Sequence, residues 1–183
     1  MNCTKVIALS GASGAGKTTI VRLLAAELNC PFLLFDDHTS QDTYPINMKA
    51  WLESGANVDL IKTPKFVTAL QALIADTRCR YIFIEEPFGR ERNAMANLVD
   101  YVVLLDQPLA LCLARIIKRH ADFADSNSLN LSATFLDKYH DHMRDIYISK
   151  VNQVSSNCDL IINEVSPIKA TTQFIIHWLN SLK

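Results

Sequence analysis

The chain has 183 residues, 18 Lys and Arg against 19 Asp and Glu, and 49% hydrophobic residues. That length suits one core with room for a lid or an excursion and is short for two enzymatic domains, so a single domain over 1–183 is expected. The near-zero net charge lacks the electrostatic footprint of a protein that lives on nucleic acid or an anionic membrane, which leaves small ligands as the expected partners.

Five cysteines (Cys3, Cys30, Cys79, Cys112, Cys158) are scattered without a CxxC pair or zinc spacing, and read as reduced, buried thiols of a cytoplasmic protein. No signal or transit pattern opens the chain. The most apolar stretch, 101–117, is broken by Asp106, Gln107, Pro108 and Arg115, which excludes a bilayer span.

Strand-length apolar runs alternate with helical patterns, the mark of an α/β protein with a parallel sheet. The first strand is expected at 5–10 (KVIALS), followed by a glycine-rich turn and a helix over 17–28. A second strand at 31–35 (PFLLF) ends in Asp36-Asp37. The polar, irregular segment 38–63 reads as an excursion over the site. A helix over 64–76 begins with Pro64, whose missing N–H is harmless in a first turn. A third strand at 80–84 (RYIFI) closes on Glu85-Glu86, a short helix is expected within 90–97, and a fourth strand at 101–105 ends at Asp106. A helix over 109–120 carries Arg115, Lys118 and Arg119. A loop over 121–132, part of a lid over 119–132, precedes a long helix over 133–154. A fifth strand at 159–162 and a last helix running to Leu182 complete the pattern, with Phe174, Ile175, Trp178 and Leu179 expected to face the core.

The most specific signal is Gly11-Ala12-Ser13-Gly14-Ala15-Gly16-Lys17-Thr18, a full GxxxxGK[ST] match between an expected strand and an expected helix. Glycines allow a loop whose backbone N–H groups converge on phosphate oxygens, and the helix N-terminus adds unsatisfied donors, Thr19 included. Lys17 would reach the β- and γ-phosphates of a nucleoside triphosphate, and Thr18 would offer its hydroxyl to Mg²⁺. ATP with Mg²⁺ is the expected cofactor pair.

The loop alone does not separate kinases from other nucleotide-binding proteins. Ligands of open α/β sheets bind beyond the C-terminal ends of the strands, where this chain has Asp36-Asp37, Glu85-Glu86 and Asp106. Phosphoryl transfer to a hydroxyl needs one carboxylate for the acceptor proton and another for Mg²⁺ or its waters. Asp36 and Glu85 are the best placed for these roles. His38, Tyr44 and Trp51 could contact an acceptor or anchor the excursion, while His140, His142 and Arg144 read as a solvated face.

GASGAGKTT, the strand ending in Asp36-Asp37, the run into Glu85 and FLDKYHDHMRDIYISKVNQVSSNCDLIIN together resemble the uridine kinase and nicotinamide riboside kinase branch of the P-loop kinases. The resemblance implies a five-stranded parallel sheet of order 2-3-1-4-5 flanked by helices, a lid, and phosphoryl transfer from ATP·Mg²⁺ to a small, nucleoside-like acceptor. It also implies Asp36 as general base or acceptor ligand, Glu85 as holder of metal waters or acceptor, and Arg115 and Arg119 as cations on the transferred phosphate. Glu86-Pro87 departs from that pattern and would place an extra negative charge beside the acceptor. The lid lacks an arginine-rich element, and no nucleoside-contacting segment is recognisable in the excursion. A nucleotide-binding regulatory module acting through a protein partner is the alternative. A GTPase reading lacks its NKxD element, since strand four ends in LLDQP.

Overall fold

Strand β1 (Lys5–Gly11) lies in the middle of a sheet and is covered on both faces, which explains why its sequence is an almost unbroken apolar run. In this computed structural model, which describes residues 4–122 and 128–182, it pairs in parallel with β3 (Tyr81–Glu85) on one side and β4 (Tyr101–Leu105) on the other. β2 (Phe32–Leu33) and β5 (Leu160–Ile162) form the edges, giving the parallel order β2-β3-β1-β4-β5. The register sets Leu9 beside Glu85 and Gly11 beside Leu105, so the glycine-rich loop and the acid that ends β3 leave the sheet side by side.

Alternate strand residues feed two cores. Ile7, Leu9, Phe83, Val103 and Leu105 pack with Ile20, Val21 and Leu24 of α1 (Lys17–Leu28) and with Ile175 and Leu179 of α8 (Ile168–Ser181). Val6, Ala8, Ile82, Ile84, Val102 and Leu104 pack on the other face with Phe66 and Leu70 of α3 (Pro64–Asp76). Phe174 is 53% exposed and faces away from the core, whereas Trp178 is partly buried with its ring edge-on to Tyr101 at 5.8 Å.

Strand β2 is shorter than its apolar run. Phe35 is fully buried, but its burial comes from ring contacts with Phe66 and Phe88, centroids 6.0 and 6.1 Å away, rather than from ladder pairing. Asp36 therefore sits in a 3₁₀ turn with Asp37 and His38.

The excursion 38–63 is folded rather than irregular. It contains α2 (Met48–Glu53), whose Trp51 is buried and donates Nε1–H to the Asn57 carbonyl at 2.7 Å. Its two ends are tied by the Lys62 N–H donating to the Thr43 carbonyl at 2.9 Å. Its far end is tied to the segment before α4 (Asn93–Ala96) by the Arg92 guanidinium, which donates to the Ile61 carbonyl and to Thr63 Oγ1.

Where it is described, the expected lid loop is helix. α5 (Leu109–Asp122) runs past residue 120 and α6 (Ser128–Lys138) begins inside the segment expected to be loop, while 123–127 lie outside the described residues. Packing overrides the loop-like composition: the His120 ring on α5 meets the Phe135 ring on α6 edge-on at 5.6 Å. The long helix continues from α6 through a π-helical turn (Tyr139–Met143) into α7 (Arg144–Ser155). Cys112 is buried, Cys30, Cys79 and Cys158 are only partly so, all four are free thiols, and Cys3 lies outside the described residues. Among the described residues no helix is long and apolar enough to cross a membrane.

Candidate active site

The sheet's C-terminal edge opens into a cleft of about 580 Å³. Six parts of the chain line it: the glycine-rich loop, the Asp36 turn, the excursion (Tyr44, Met48, Trp51), the end of β3 with the segment after it, and one side each of α5 and the helix running into α7.

The loop has the local geometry that the motif requires. Gly14 and Gly16 have φ of +81° and +103°, a region L-residues rarely adopt. A Cβ on Gly14 would lie 2.3 Å from the Cys112 carbonyl oxygen, so a side chain there is excluded by α5 as well as by the dihedral. Gly16 caps α1 with no side-chain hydrogen bond. The N–H groups of Lys17, Thr18 and Thr19 have no acceptor from the described chain and form a donor cluster at the positive end of the helix.

Glu85 reaches the side chains of both Lys17 and Thr18. Its Oε2 accepts from Thr18 Oγ1 at 2.7 Å and its Oε1 lies 3.5 Å from Lys17 Nζ, which also donates to the Ala12 carbonyl at 3.0 Å. Lys17 and Glu85 are nearly buried, with side-chain exposures of 7% and 6%. Asp36 lines the cleft from an exposed position, on the side of the excursion. Arg115 donates to the Gly14 carbonyl at 3.2 Å, and Arg119 lies one turn farther along the same cleft wall. Lys17, Thr18, Thr19, Asp36, Glu85, Arg115 and Arg119 thus converge, as do Ser13, Gly14 and Gly16; Gly11, Ala12 and Ala15 support the loop from behind the cleft surface.

Other sequence candidates fall elsewhere. The His38 ring stacks edge-on against Phe66 at 5.5 Å, Asp106 and Asp37 are exposed outside the cleft, and His142 pairs with Asp141 in the π turn. Trp51 anchors the excursion, one of the two roles expected for it, and its side chain also lines the cleft. Lys118 is exposed and outside the cleft.

Glu86 corrects the expectation of an extra charge beside the acceptor. It is fully buried, ion-paired with Arg92, and accepts from the Phe88 N–H at 3.2 Å. Burial pushes its carboxyl upward and the Arg92 guanidinium pulls it back. Arg92, itself 2% exposed with its guanidinium over the Phe35 and Phe88 rings, went unnoticed in the sequence because only the fold brings it to Glu86.

Two further cleft residues escaped sequence reasoning. Tyr147 is buried, and that burial pushes its phenol up to about 12, with nearby Ser13 acting in the opposite direction. Lys150, 8% exposed, points its ammonium over the Phe88 and Tyr147 rings at 5.5 and 5.3 Å. The signal existed: Met143, Ile146, Tyr147, Lys150 and Val154 share one face of the helix, and a lysine in such an apolar stripe is out of place.

Thr18 and Glu85 form an oxygen-only pair that suits a hard cation such as Mg²⁺. Among the described residues no group of three His, Cys, Asp or Glu side chains forms a metal cage. The pair therefore fits Mg²⁺ that arrives carrying phosphate and water oxygens of its own.

No family model and no curated protein sequence matches the chain. Solved structures do. The chain is similar to a sugar kinase from a Janibacter species, with 18% identity, coverage of 98% of this chain and 96% of that one, and a TM-score of 0.60. It is similar to shikimate kinase from Aquifex aeolicus at 21% identity, with 97% and 98% coverage and a TM-score of 0.56. Shikimate kinase from Acinetobacter baumannii in complex with shikimate matches at 19% identity, 100% and 97% coverage and a TM-score of 0.50. Sheet order, phosphate-loop position and these likenesses agree: the chain has the P-loop kinase fold.

Proposed function

We infer that the protein is one P-loop kinase-like domain that transfers the γ-phosphoryl group of ATP·Mg²⁺ to a hydroxyl of a small metabolite. The observation that carries this reading is the convergence of Lys17, Thr18 and Glu85 at one end of a cleft whose other wall bears Asp36. A triphosphate would be cradled by the loop N–H groups, with Lys17 released from Glu85 to its phosphates. Thr18 and Glu85 would hold Mg²⁺ or its waters, and the ion would neutralise charge developing on the phosphates. Asp36 would orient the acceptor hydroxyl and take its proton. Arg115 and Arg119, guanidiniums fixed in charge, would face negative charge on the transferred group. Segment 38–63 would form the acceptor wall, and the helices around 119–132 would flank the donor side. A nucleoside-like acceptor is supported by sequence motifs; the similar solved structures are a sugar kinase and shikimate kinases. A cytoplasmic location rests on the cysteine usage, five scattered residues without paired spacing.

Acceptor-dependent ADP release, measured over nucleosides, nucleoside monophosphates, vitamins, sugars and hydroxy acids, tests the reading. Lys17→Ala is expected to abolish transfer. Asp36→Asn is expected to lower kcat by about 10²–10⁴-fold while ATP binding stays nearly intact. Turnover that survives both substitutions contradicts the reading, and stimulation by a protein partner alone would favour the regulatory alternative.

A further inference from the structure

Every carboxylate near Lys150 other than Asp36 is already committed. Glu85 serves Lys17 and Thr18, and Glu86 serves Arg92. Asp36 belongs to an exposed turn that lines the cleft, and its charge is felt at Lys150 without an ion pair between them. Lys150 itself makes no hydrogen bond or ion pair among the described residues, although it lines the cleft and is 8% exposed. Its ammonium is held only by the faces of Phe88 and Tyr147. The charged and titratable groups around it are Lys17 from α1, Asp36 from its turn, Glu85 and Glu86 from the end of β3, and Tyr147 on its own helix.

A buried ammonium without a counter-charge is expensive, and the cost is normally removed by a paired anion. Loss of water and repulsion from Lys17 push Lys150 down to about 7, which fits a site lacking its anion. The donor phosphates already have the loop N–H groups, Lys17, Arg115 and Arg119 on their side of the cleft. Lys150 is close enough to Lys17 to feel its charge, but its ammonium lies over Phe88 and Tyr147, in a cleft lining that also includes Ile146 and Met143 of its own helix and the excursion's Tyr44, Met48 and Trp51.

Building on the kinase reading, we propose that Lys150 is the specificity-determining cation of the acceptor site, and that the acceptor is a hydroxylated organic anion bound through its carboxylate or phosphate. The aromatic and thioether walls would hold the carbon skeleton. Lys150 would fix the anionic end so that a hydroxyl falls to Asp36. This narrows the acceptor class away from uncharged nucleosides.

The test compares hydroxy acids and sugar monophosphates (glycerate, gluconate, glycerol 3-phosphate, ribose 5-phosphate) with their neutral parents (glycerol, glucose, ribose). The full chain is used, in ADP release with ATP·Mg²⁺ and in thermal-shift binding without ATP. Anionic members are expected to stimulate turnover and raise Tm, with one class, carboxylate or phosphate, leading. Lys150→Met should lower kcat/KM for the best anion by about 30-fold or more, mainly through KM. It should also remove that anion's Tm shift and leave affinity for Mg²⁺·AMPPNP within about twofold, well under the 1.4 kcal/mol that a tenfold change represents. Lys150→Arg, which keeps the charge, should retain the preference for anions.

Turnover with the neutral parents alone, or an equal loss of AMPPNP affinity in Lys150→Met, overturns the proposal while leaving the kinase reading standing. Anion-dependent Tm shifts that require Lys150 without any turnover support the anion site and overturn the kinase reading. Neither turnover nor an anion-dependent shift overturns both.

Discussion

Replacing Lys150 with methionine should make the ligand-free protein more stable, an unusual outcome for a change deep in a cleft wall. Methionine keeps the unbranched stem against Phe88 and Tyr147 and removes the unpaired ammonium. Exchanging a buried charge for an apolar side chain of similar volume stabilises by roughly 1–4 kcal/mol. The pH dependence is the sharper readout. Lys150 titrates at about 7 when folded, while a lysine of the unfolded chain stays protonated to much higher pH. Between those limits the unfolded chain holds more protons, so wild-type stability rises with pH relative to the variant. From pH 7 to pH 9 the gap should close by about 2 kcal/mol, and below pH 7 it should be wide and flat. Urea denaturation of both proteins at pH 6, 7, 8 and 9, followed by circular dichroism, measures the difference with all shared titrations cancelled. A variant less stable than wild type at pH 6, or a gap independent of pH, would refute this account of Lys150. The expected result is a residue that costs stability and is retained for what it binds.

Arg92→Met strands Glu86 without its counter-charge and should destabilise by about 3–5 kcal/mol in urea denaturation, with much of the loss recovered by adding Glu86→Gln. Gly14→Ala drives a Cβ toward the Cys112 carbonyl in a left-handed backbone; it should weaken Mg²⁺·AMPPNP binding by calorimetry by about tenfold or more while far-UV dichroism stays native. Thr18→Val removes the hydroxyl shared with Glu85, and the Mg²⁺ concentration for half-maximal turnover should rise about 10- to 100-fold with little change in metal-free nucleotide binding.

What could be read from the sequence is what local chemistry dictates. The glycine pattern pointed to a tight loop between strand and helix, and the structure has one, with Gly11, Gly14 and Gly16 all at positive φ. Helices 17–28 and 64–76 and strand 101–105 have the bounds their apolar periodicity predicts. Asp36 and Glu85 were singled out because ligands of parallel sheets meet the C-terminal strand ends, Arg115 and Arg119 because of the family resemblance, and all four line the cleft. The residues missed depend on pairing between distant segments. Glu86 looked like a free charge until Arg92, six residues on, turned back to it and also clasped Ile61 and Thr63. The excursion looked structureless because its order comes from Trp51 and from Arg92 rather than from periodicity. Segment 128–132 looked like loop because Ser and Asn favour turns, whereas contact between α5 and α6 makes it helix. Lys150 was missed because its stripe, with Ile146, Tyr147 and Val154, reads as an ordinary core face, and only the fold turns part of that face into a cleft wall.

Single-turnover transfer from γ-labelled ATP, run with the anionic acceptor that best stimulates ADP release, tests the central claim most directly. The account predicts label in a new phosphate monoester of the acceptor, one per enzyme-bound ATP, lost in Lys17→Ala and strongly slowed in Asp36→Asn. Label released only as inorganic phosphate, at a rate indifferent to every small hydroxyl compound, would contradict it.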